Sequence, residues 1–445
     1  MFEQVLDMAK SRVEQAEVYE LESEVTPVSF EANRLKAIQT KQTHGLALRV
    51  VKDGRIGLAS TTDFRPHLTG SGHGIASLVD RAIAAAQFGA EARFQLPGRA
   101  QPAKVAVFDP IVAALTPEDM IALGQTMIDR VCHYDSDILC SVQVSKTLST
   151  VTIANGRGEQ VSYSKTLKSV SLNGNLTTGT DILDIGEEAH SCRDDINVER
   201  LVGDVVSKFD MARREASITT KHMPVIFTPK GVASVFLLPL QMALNGKVVL
   251  QGASPLGDKV GQVVFDPRVS LFDDGTVDFA PHSAGVDDEA VPTRRTTLVE
   301  KGRVQGFIYD LQTAALAGKS STGNGFRGLS TLPTPTFTSL ILSEGVAVLP
   351  DMIQDVKEGV LIDQVMGAWA GNLLAGEVSG NIHLGFKIEN GILVGRVKDA
   401  MVAGSIYEAL STGLNELGSE GTWVNASLYT PPMYFRALSI ATKRG

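Results

Sequence analysis

Three dipeptides that favour tight turns divide this chain into pairs of strands. They are Asp53-Gly54, Asn155-Gly156 and Asn390-Gly391, and apolar or alternating residues flank each of them. In a two-residue type I′ turn both central residues have positive φ, which Asp, Asn and Gly adopt at little cost. The sequence therefore predicts antiparallel hairpins in the N-terminal, middle and C-terminal parts of the chain.

Segments with helical periodicity lie before and between these pairs of strands. Apolar residues recur every three or four positions in segments 2–13, 75–86 and 198–209. Thr116-Pro117, followed by an acid at Asp119, is a typical helix start, so we expect a further helix to about residue 133. Because helices and hairpins occur together in the same parts of the chain, we expect an α+β fold.

The domain organisation follows from length and from one proline-containing stretch. A chain of 445 residues suggests two or three domains. Residues 97–107 resemble a linker in composition. We predict an N-terminal helix-plus-antiparallel-sheet domain over 1–96, a similar middle domain over 108–217 and a strand-rich C-terminal domain over 218–445.

Composition excludes several classes of function. A net charge of −9 argues against nucleic acid as a partner, since binding to phosphates needs clustered cations. Three cysteines without CxxC spacing fit a reducing compartment. The N-terminus does not look like a signal peptide, and the longest apolar stretch, 232–244, is too short to span a bilayer. We expect a cytoplasmic protein without a membrane partner.

Segment 287–328 is the most specific part of the sequence. An acidic loop (Asp287, Asp288, Glu289) precedes the strand-like residues 293–298, a turn, a short helical piece over 310–317 and a glycine-containing loop over 320–325. This order of elements resembles the TldD/PmbA family, also called modulators of DNA gyrase or peptidase family U62. The resemblance implies that residues 218–445 are the counterpart of the family's metalloprotease domain.

Catalytic members of that family carry a His-Glu-x-x-x-His zinc motif on a helix, and a later Cys completes the site. In the corresponding stretch here, Pro239 and Leu244 stand at the two His positions and Leu240 at the Glu position, and no Cys follows Cys192. These side chains can neither bind zinc nor transfer a proton. The chain therefore resembles the TldE/PmbA branch, for which the resemblance implies no cofactor and a TldD-like partner that holds zinc. Pro239 also predicts a broken or kinked helix near Leu238.

Several residues are candidates for a peptide groove, each with a structural alternative. Arg294 and Arg295 could clamp a carboxylate or form surface ion pairs. The loop residues Ser321, Thr322, Gly323 and Asn324 could form a nest of backbone N–H groups or an ordinary turn. His383 could contact substrate or be a packed strand residue.

Two acidic stretches are expected to be solvated. Asp287, Asp288 and Glu289 lack the spacing of a calcium loop, so we expect a solvated loop. The stretch 187–195, which contains His190, could hold a metal ion, but a solvated acidic loop before the helix at 198 is the favoured interpretation.

Three functional hypotheses remain open. The first is a non-catalytic, TldE-like subunit that forms a heterodimer with a TldD-like catalytic subunit and holds peptide by strand addition. The second is a self-sufficient homodimeric peptidase or peptide-binding protein whose site is not located. The third, direct modulation of DNA gyrase, follows only from a family name.

Overall fold

The structure is a computed structural model that describes residues 2–62 and 73–442. Its helices are α1 (Phe2–Lys10), α2 (His73–Ala86), α3 (Pro110–Ala114), α4 (Pro117–Tyr134), α5 (Val198–Ala212), α6 (Pro229–Val232), α7 (Leu238–Ala243), α8 (Gly246–Leu250), α9 (Leu311–Leu316), α10 (Leu349–Gln354) and α11 (Ile406–Glu408). Two π-helical segments, Ala233–Leu237 and Ala409–Gly413, and one 3₁₀ segment, Ala368–Ala370, complete the helical residues. None of these helices combines the length and the apolar character that crossing a bilayer requires.

The strands fall into two sets along the chain. Those before residue 200 are β1 (Gln15–Glu31), β2 (Arg34–Ile38), β3 (Lys41–Lys52), β4 (Arg55–Thr61), β5 (Leu139–Asn155), β6 (Gln160–Thr178) and β7 (Asp181–Ser191). Those after it are β8 (Glu215–Ala216), β9 (Lys221–Phe227), β10 (Leu271–Asp274), β11 (Arg295–Glu300), β12 (Arg303–Val304), β13 (Gly325–Phe326), β14 (Thr334–Pro335), β15 (Leu340–Leu342), β16 (Glu358–Met366), β17 (Glu377–Glu389), β18 (Ile392–Val397), β19 (Ala400–Ser405), β20 (Leu414–Leu417), β21 (Thr422–Val424), β22 (Leu428–Thr430) and β23 (Met433–Thr442). This mixture confirms the α+β prediction.

The N-terminal and middle units share one antiparallel sheet. Its order is β4-β3-β1-β5-β6-β7, with β2 paired to β1. Strand β1 pairs with β5 from Glu17 opposite Asn155 to Phe30 opposite Val142, so the sheet runs without interruption from one predicted domain into the other. The domain boundaries stay a prediction. Residues 97–107 lie against the C-terminal part, because the Ala103 N–H donates to the carbonyl of Gly285 at 2.9 Å.

The two faces of this sheet have different neighbours. One face packs against α1 and α2 near the N-terminus and against α4 and α5 in the middle unit. The opposite face carries Tyr19, Ala47 and Ile153, which form a cluster with Val286 and Ala290 of the C-terminal part. The sheet therefore lies between a helical layer and the C-terminal domain.

The C-terminal domain contains two larger sheets and one shared core. The first has the order β16-β9-β23-β19-β17-β18-β8, with β20 paired to β23, and an additional pairing of β16 with β17 closes five of its strands into a ring. The second has the order β12-β11-β10-β15-β22-β21. Residues of both sheets and of the helical segment 229–243 belong to one core, in which the rings of Phe227, Phe236 and Phe435 contact one another.

The predicted turns have the expected backbone, with one difference. Asp53-Gly54 and Asn390-Gly391 both have positive φ at each residue and join β3 to β4 and β17 to β18. The middle hairpin instead has a four-residue connection between Asn155 and Gln160. The Asn155 side chain accepts from the N–H groups of Arg157 and Glu159, and such local bonding favours a longer loop.

Candidate functional site

The helix at the predicted zinc-motif positions is distorted but continuous. A π-helical segment over Ala233–Leu237 precedes α7, and Leu237 and Leu238 keep helical φ and ψ. In π-type bonding the Ser234 carbonyl would accept from the N–H of residue 239, and Pro239 has none. The indole N–H of Trp369 donates to that carbonyl at 3.2 Å instead. The distortion lies where the sequence predicts it. It is a π-helical turn rather than a break, and Trp369 supplies a hydrogen bond to it.

The side chains at these positions belong to the hydrophobic interior. Pro239, Leu240 and Leu244 are all buried, and both leucines are members of the C-terminal core. They offer no imidazole, thiolate or carboxylate, so this set does not fit a zinc ion. Within residues 2–62 and 73–442, the side chains grouped closely enough to hold a metal are those of Glu20, Glu22 and His44, on β1 and β3.

The acidic loop at 287–289 is buried, so the prediction of a solvated loop was wrong. Asp287 accepts from the backbone N–H of Gly325 at 2.8 Å, and Asp288 accepts from that of Arg327 at 2.9 Å. Burial raises the pKa of Asp288 to about 6 and that of Glu289 to about 7. These carboxylates hold the following loop in place by accepting its backbone donors, which spacing alone does not reveal.

Glu289 also belongs to a buried ion network that joins the first sheet to the C-terminal domain. Arg49 on β3 contacts Glu17 on β1 at 2.8 Å and Glu289 at 2.6 Å. Arg327 lies 3.0 Å from the other oxygen of Glu17 and stacks over the ring of Tyr19. Burial lowers the pKa of Arg49, but Glu17 and Glu289 outweigh it and raise that pKa above its usual value.

Most of the predicted groove residues form a second buried network. The Thr322 hydroxyl bonds Asn324 Oδ1 at 2.7 Å, and Asn324 Nδ2 donates to Asp273 at 2.6 Å. The Ser321 hydroxyl donates to the carbonyl of Tyr309, and Gly323 has a φ of +76°. These hydrogen bonds and the positive φ fit the turn interpretation, and a role of this loop in peptide binding stays a prediction.

The two arginines have separate contacts. Arg294 donates to the carbonyl of Ser321, and the guanidinium of Arg295 lies 4.0 Å from the ring centre of Phe272. A role of either arginine in peptide binding stays a prediction.

A large cleft lies between the first sheet and the C-terminal domain. Its volume is about 1110 Å³. It is lined by parts of β6, β7, α5, β16, β17 and β21, by Thr228–Lys230 and by segments 347–350 and 419–425. His383 lines this cleft, whereas Arg294, Arg295 and Ser321 to Asn324 do not. The structure therefore separates His383 from the other six candidates.

Two sheet edges border the cleft. Strand β7 ends the first sheet and β21 ends the six-stranded sheet. The carbonyl of Asp184 accepts from His383 Nε2 at 3.0 Å, and that of Gly186 accepts from Lys230. Since alternate residues of an antiparallel strand direct N–H and C=O to the same side, residues 184, 186 and 188 face away from β6. Residues 187–191 belong to β7, so the predicted solvated loop over 187–195 was wrong for these residues.

A charged network forms the floor of the cleft. Lys208 on α5 lies 2.5 Å from Glu187 and 2.8 Å from Asp363, and the Thr228 hydroxyl donates to Asp363 at 2.9 Å. Burial lowers the pKa of Lys208, but Asp363 and Glu187 outweigh it, so the net shift is upward. The apolar side chains of Leu349 and Trp423 also line the cleft. Such a concave surface, with strand edges and a few fixed charges, suits an extended polypeptide.

Comparison with known proteins decides the family. The family model of the PmbA/TldA metallopeptidase C-terminal domain matches residues 220–442, and the model of PmbA/TldA metallopeptidase domain 1 matches residues 16–86. The protein belongs to the PmbA/TldD metallopeptidase family. This PmbA/TldD chain is 25% identical over 431 residues to an uncharacterized protein of Methanocaldococcus jannaschii, covering 96% of this chain and 97% of that protein. It is 28% identical over 210 residues to a metalloprotease TldD homolog of Haemophilus influenzae, covering 44% and 43% respectively.

Solved structures share the fold of this PmbA/TldD chain. TldE from Thermococcus kodakarensis superposes with a TM-score of 0.88 at 23% identity, covering 99% of both chains. A putative modulator of DNA gyrase from Thermotoga maritima has the same TM-score at 19% identity, covering 99% of this chain and 100% of that one. These likenesses show the fold, including the strand-rich C-terminal domain.

Sequence reasoning did not bring the main residues of the cleft together. Asp184, Glu187, Lys208 and Asp363 come from three elements spread over 180 positions of the chain. No local spacing joins them, because the pairing of β1 with β5 and the docking of two sheets bring them together. A weak signal was present at Thr228-Pro229, whose helix start marks one border of the cleft.

Proposed function

We propose that this chain is a peptide-holding, non-catalytic subunit of a TldD/TldE-type metalloprotease complex. The observation that carries the proposal is the helix in its metallopeptidase domain, where Pro239, Leu240 and Leu244 are packed as core residues. A zinc-bearing, TldD-like chain supplies the catalytic centre. This chain contributes the cleft.

Peptide binding rests on the outer edge of β7, the strand that ends the first sheet. The carbonyls of Asp184 and Gly186 are held by side chains of the C-terminal domain, while Glu188 is exposed at the next outward-facing position. An extended peptide adds to such an edge through backbone hydrogen bonds and places alternate side chains into the cleft. Backbone recognition of this kind tolerates many sequences, which suits degradation of peptides and unfolded segments.

The proposal is tested by reconstitution with a TldD-like paralogue from the same genome. We expect no cleavage of an unstructured peptide by this chain alone, and chelator-sensitive cleavage when both chains are present. Co-elution of the two chains in size-exclusion chromatography reports the complex. Chelator-sensitive cleavage by this chain alone would contradict the proposal and favour a self-sufficient enzyme.

A matched pair of variants tests the edge itself. Glu188→Pro removes one outward-facing N–H without removing a bond to β6, whereas Glu188→Ala keeps that N–H. Both variants lose the Glu188 carboxylate, so we expect the KM of the reconstituted complex to be about tenfold higher for the proline than for the alanine variant, since about 1.4 kcal/mol corresponds to tenfold. Equal KM values for both variants would remove β7 as the docking edge.

A further inference from the structure

The charges of the cleft are unbalanced. Its lining includes the carboxylates of Asp184, Glu187, Glu188, Asp204, Asp363 and Glu420, against the cations of Arg200, Lys208 and Lys230. Lys208 and Lys230 are held by protein oxygens, and Arg200 is paired with Asp204 at 3.8 Å. Negative charge is therefore left over in a concave site, where low-dielectric walls strengthen the field on a bound ligand.

The imbalance is sharpest around Lys208. Glu187 and Asp363 both contact its ammonium at short range, and Asp204 lies one helical turn before it on α5. Asp204 is paired only loosely, with Arg200 at 3.8 Å, and both of these side chains are more than half exposed. Two carboxylates thus hold Lys208, and a third lies one helical turn away without a close cationic partner.

The pKa shift of Asp204 agrees with this geometry. Burial raises its pKa, and the carboxylates of Glu187 and Asp363 raise it further, against the effect of Arg200 and Lys208. An added positive charge at this point would relieve the repulsion. Such a charge has room, because the site lies in the open cleft of about 1110 Å³.

From the carboxylates of Glu187, Asp363 and Asp204, which all line this cleft, we propose that the cleft selects extended peptides carrying a lysine or arginine, and that Asp204 together with Glu187 receives the cationic side chain. This inference rests on the proposed function, since it names the substrate class of the same cleft. It adds a preference for cationic side chains and assigns Asp204, with Glu187, as the residues that cause it.

The test uses three ten-residue peptides that differ only at one central position, which is lysine, norleucine or glutamate. Fluorescein on the N-terminus blocks the α-amino group, so only the side chain differs in charge. We expect fluorescence anisotropy at 0.15 M salt to give a Kd about fivefold lower for the lysine than for the norleucine peptide, and a higher Kd for the glutamate peptide. The preference should shrink at high salt because the ion pair is partly exposed.

Two variants test which residue causes the preference for lysine over norleucine. Asp204→Asn should bring the Kd values of the lysine and norleucine peptides together. Asp129→Asn, a matched change at an exposed aspartate on α4 outside the cleft, should keep the preference of the wild type. Circular dichroism melting of both variants checks that the fold is intact.

The outcomes separate the inference from the proposed function. Equal binding of all three peptides overturns the charge preference and leaves peptide holding in place. A lysine preference that survives in Asp204→Asn overturns the assignment of that residue. Failure of the wild type to bind any of the three peptides contradicts the proposed function itself.

Discussion

Replacing Arg49 with methionine removes the one cation shared by two buried carboxylates. Arg49 is only 3% exposed, and its partners Glu17 and Glu289 are fully buried. Methionine keeps much of the apolar stem, so the change isolates the charge. Afterwards Glu17 retains Arg327 at 3.0 Å, whereas Glu289 retains only the N–H of Leu311 at 2.7 Å among its short contacts.

The magnitude follows from burial. Breaking a buried ion pair by removing one partner typically costs about 3–5 kcal/mol, because an uncompensated charge stays in the interior. We expect Arg49→Met to lower the free energy of unfolding by that amount at pH 8. Urea titration followed by circular dichroism measures it.

The pH dependence gives a second, independent readout. Burial already raises the pKa of Glu289 to about 7, although Arg49 opposes the shift. Without Arg49 this pKa rises further, so the native variant takes up a proton that the unfolded chain releases. A raised carboxyl pKa contributes stability below the unfolded value of about 4.5 and loses it as the pH rises through the folded value. The deficit of Arg49→Met should therefore be smaller at pH 5.5 than at pH 8.

An exposed arginine supplies the matched control. Arg12 lies 2.8 Å from Asp80, and their side chains are 44% and 62% exposed. Arg12→Met should cost less than about 1 kcal/mol, with little dependence on pH in this range. The reasoning is refuted if Arg49→Met costs no more than Arg12→Met, or if its deficit grows as the pH falls from 8 to 5.5.

Three further changes test other parts of the structure. Trp369→Phe removes the indole N–H that donates to the Ser234 carbonyl, and should lower the free energy of unfolding in urea by about 1 kcal/mol. An unchanged urea midpoint would mean that water takes the place of the indole N–H. Gly323→Ala should lower the free energy of unfolding by about 3 kcal/mol, since φ is +76° and a Cβ would lie 2.5 Å from a neighbouring carbonyl oxygen. Gly318→Ala, with φ +63° and no atom within 4 Å of the added Cβ, should lower it by about 1 kcal/mol. Equal losses in the two variants would contradict the close approach at Gly323. Burial raises the pKa of Asp273 to about 6 from a usual 3.8, so the stability advantage of the wild type over Asp273→Asn should be about 2 kcal/mol larger at pH 4 than at pH 7. An advantage that grows with pH would have the wrong sign.

Local patterns in the sequence predicted the elements well. The helix that begins with Thr116 at its cap runs over Pro117–Tyr134, and both side chains of its capping box form the expected bonds. The hairpin turns at Asp53 and Asn390 have the predicted positive φ. These features depend on interactions within a few residues, so the sequence is enough to find them.

The parts that could not be predicted depend on contacts between distant residues. The acids at 287–289 look solvated in a list of residues, but the folded chain buries them under Arg49 and the loop at 325–327. The cleft around Lys208 lies where the β7 edge of the first sheet faces the C-terminal domain. Pro239 predicted a disturbed helix, but the donor that repairs it comes from Trp369, 130 positions later.

The zinc content of the purified chain tests most directly the proposal that this chain lacks a catalytic metal of its own. Elemental analysis after extensive dialysis against metal-free buffer would be done on this chain alone and on the reconstituted pair. We expect no stoichiometric zinc in the chain alone, and zinc in the pair that is lost when the histidines of the TldD-like partner are replaced. One tightly held zinc per molecule of this chain alone would contradict the assignment.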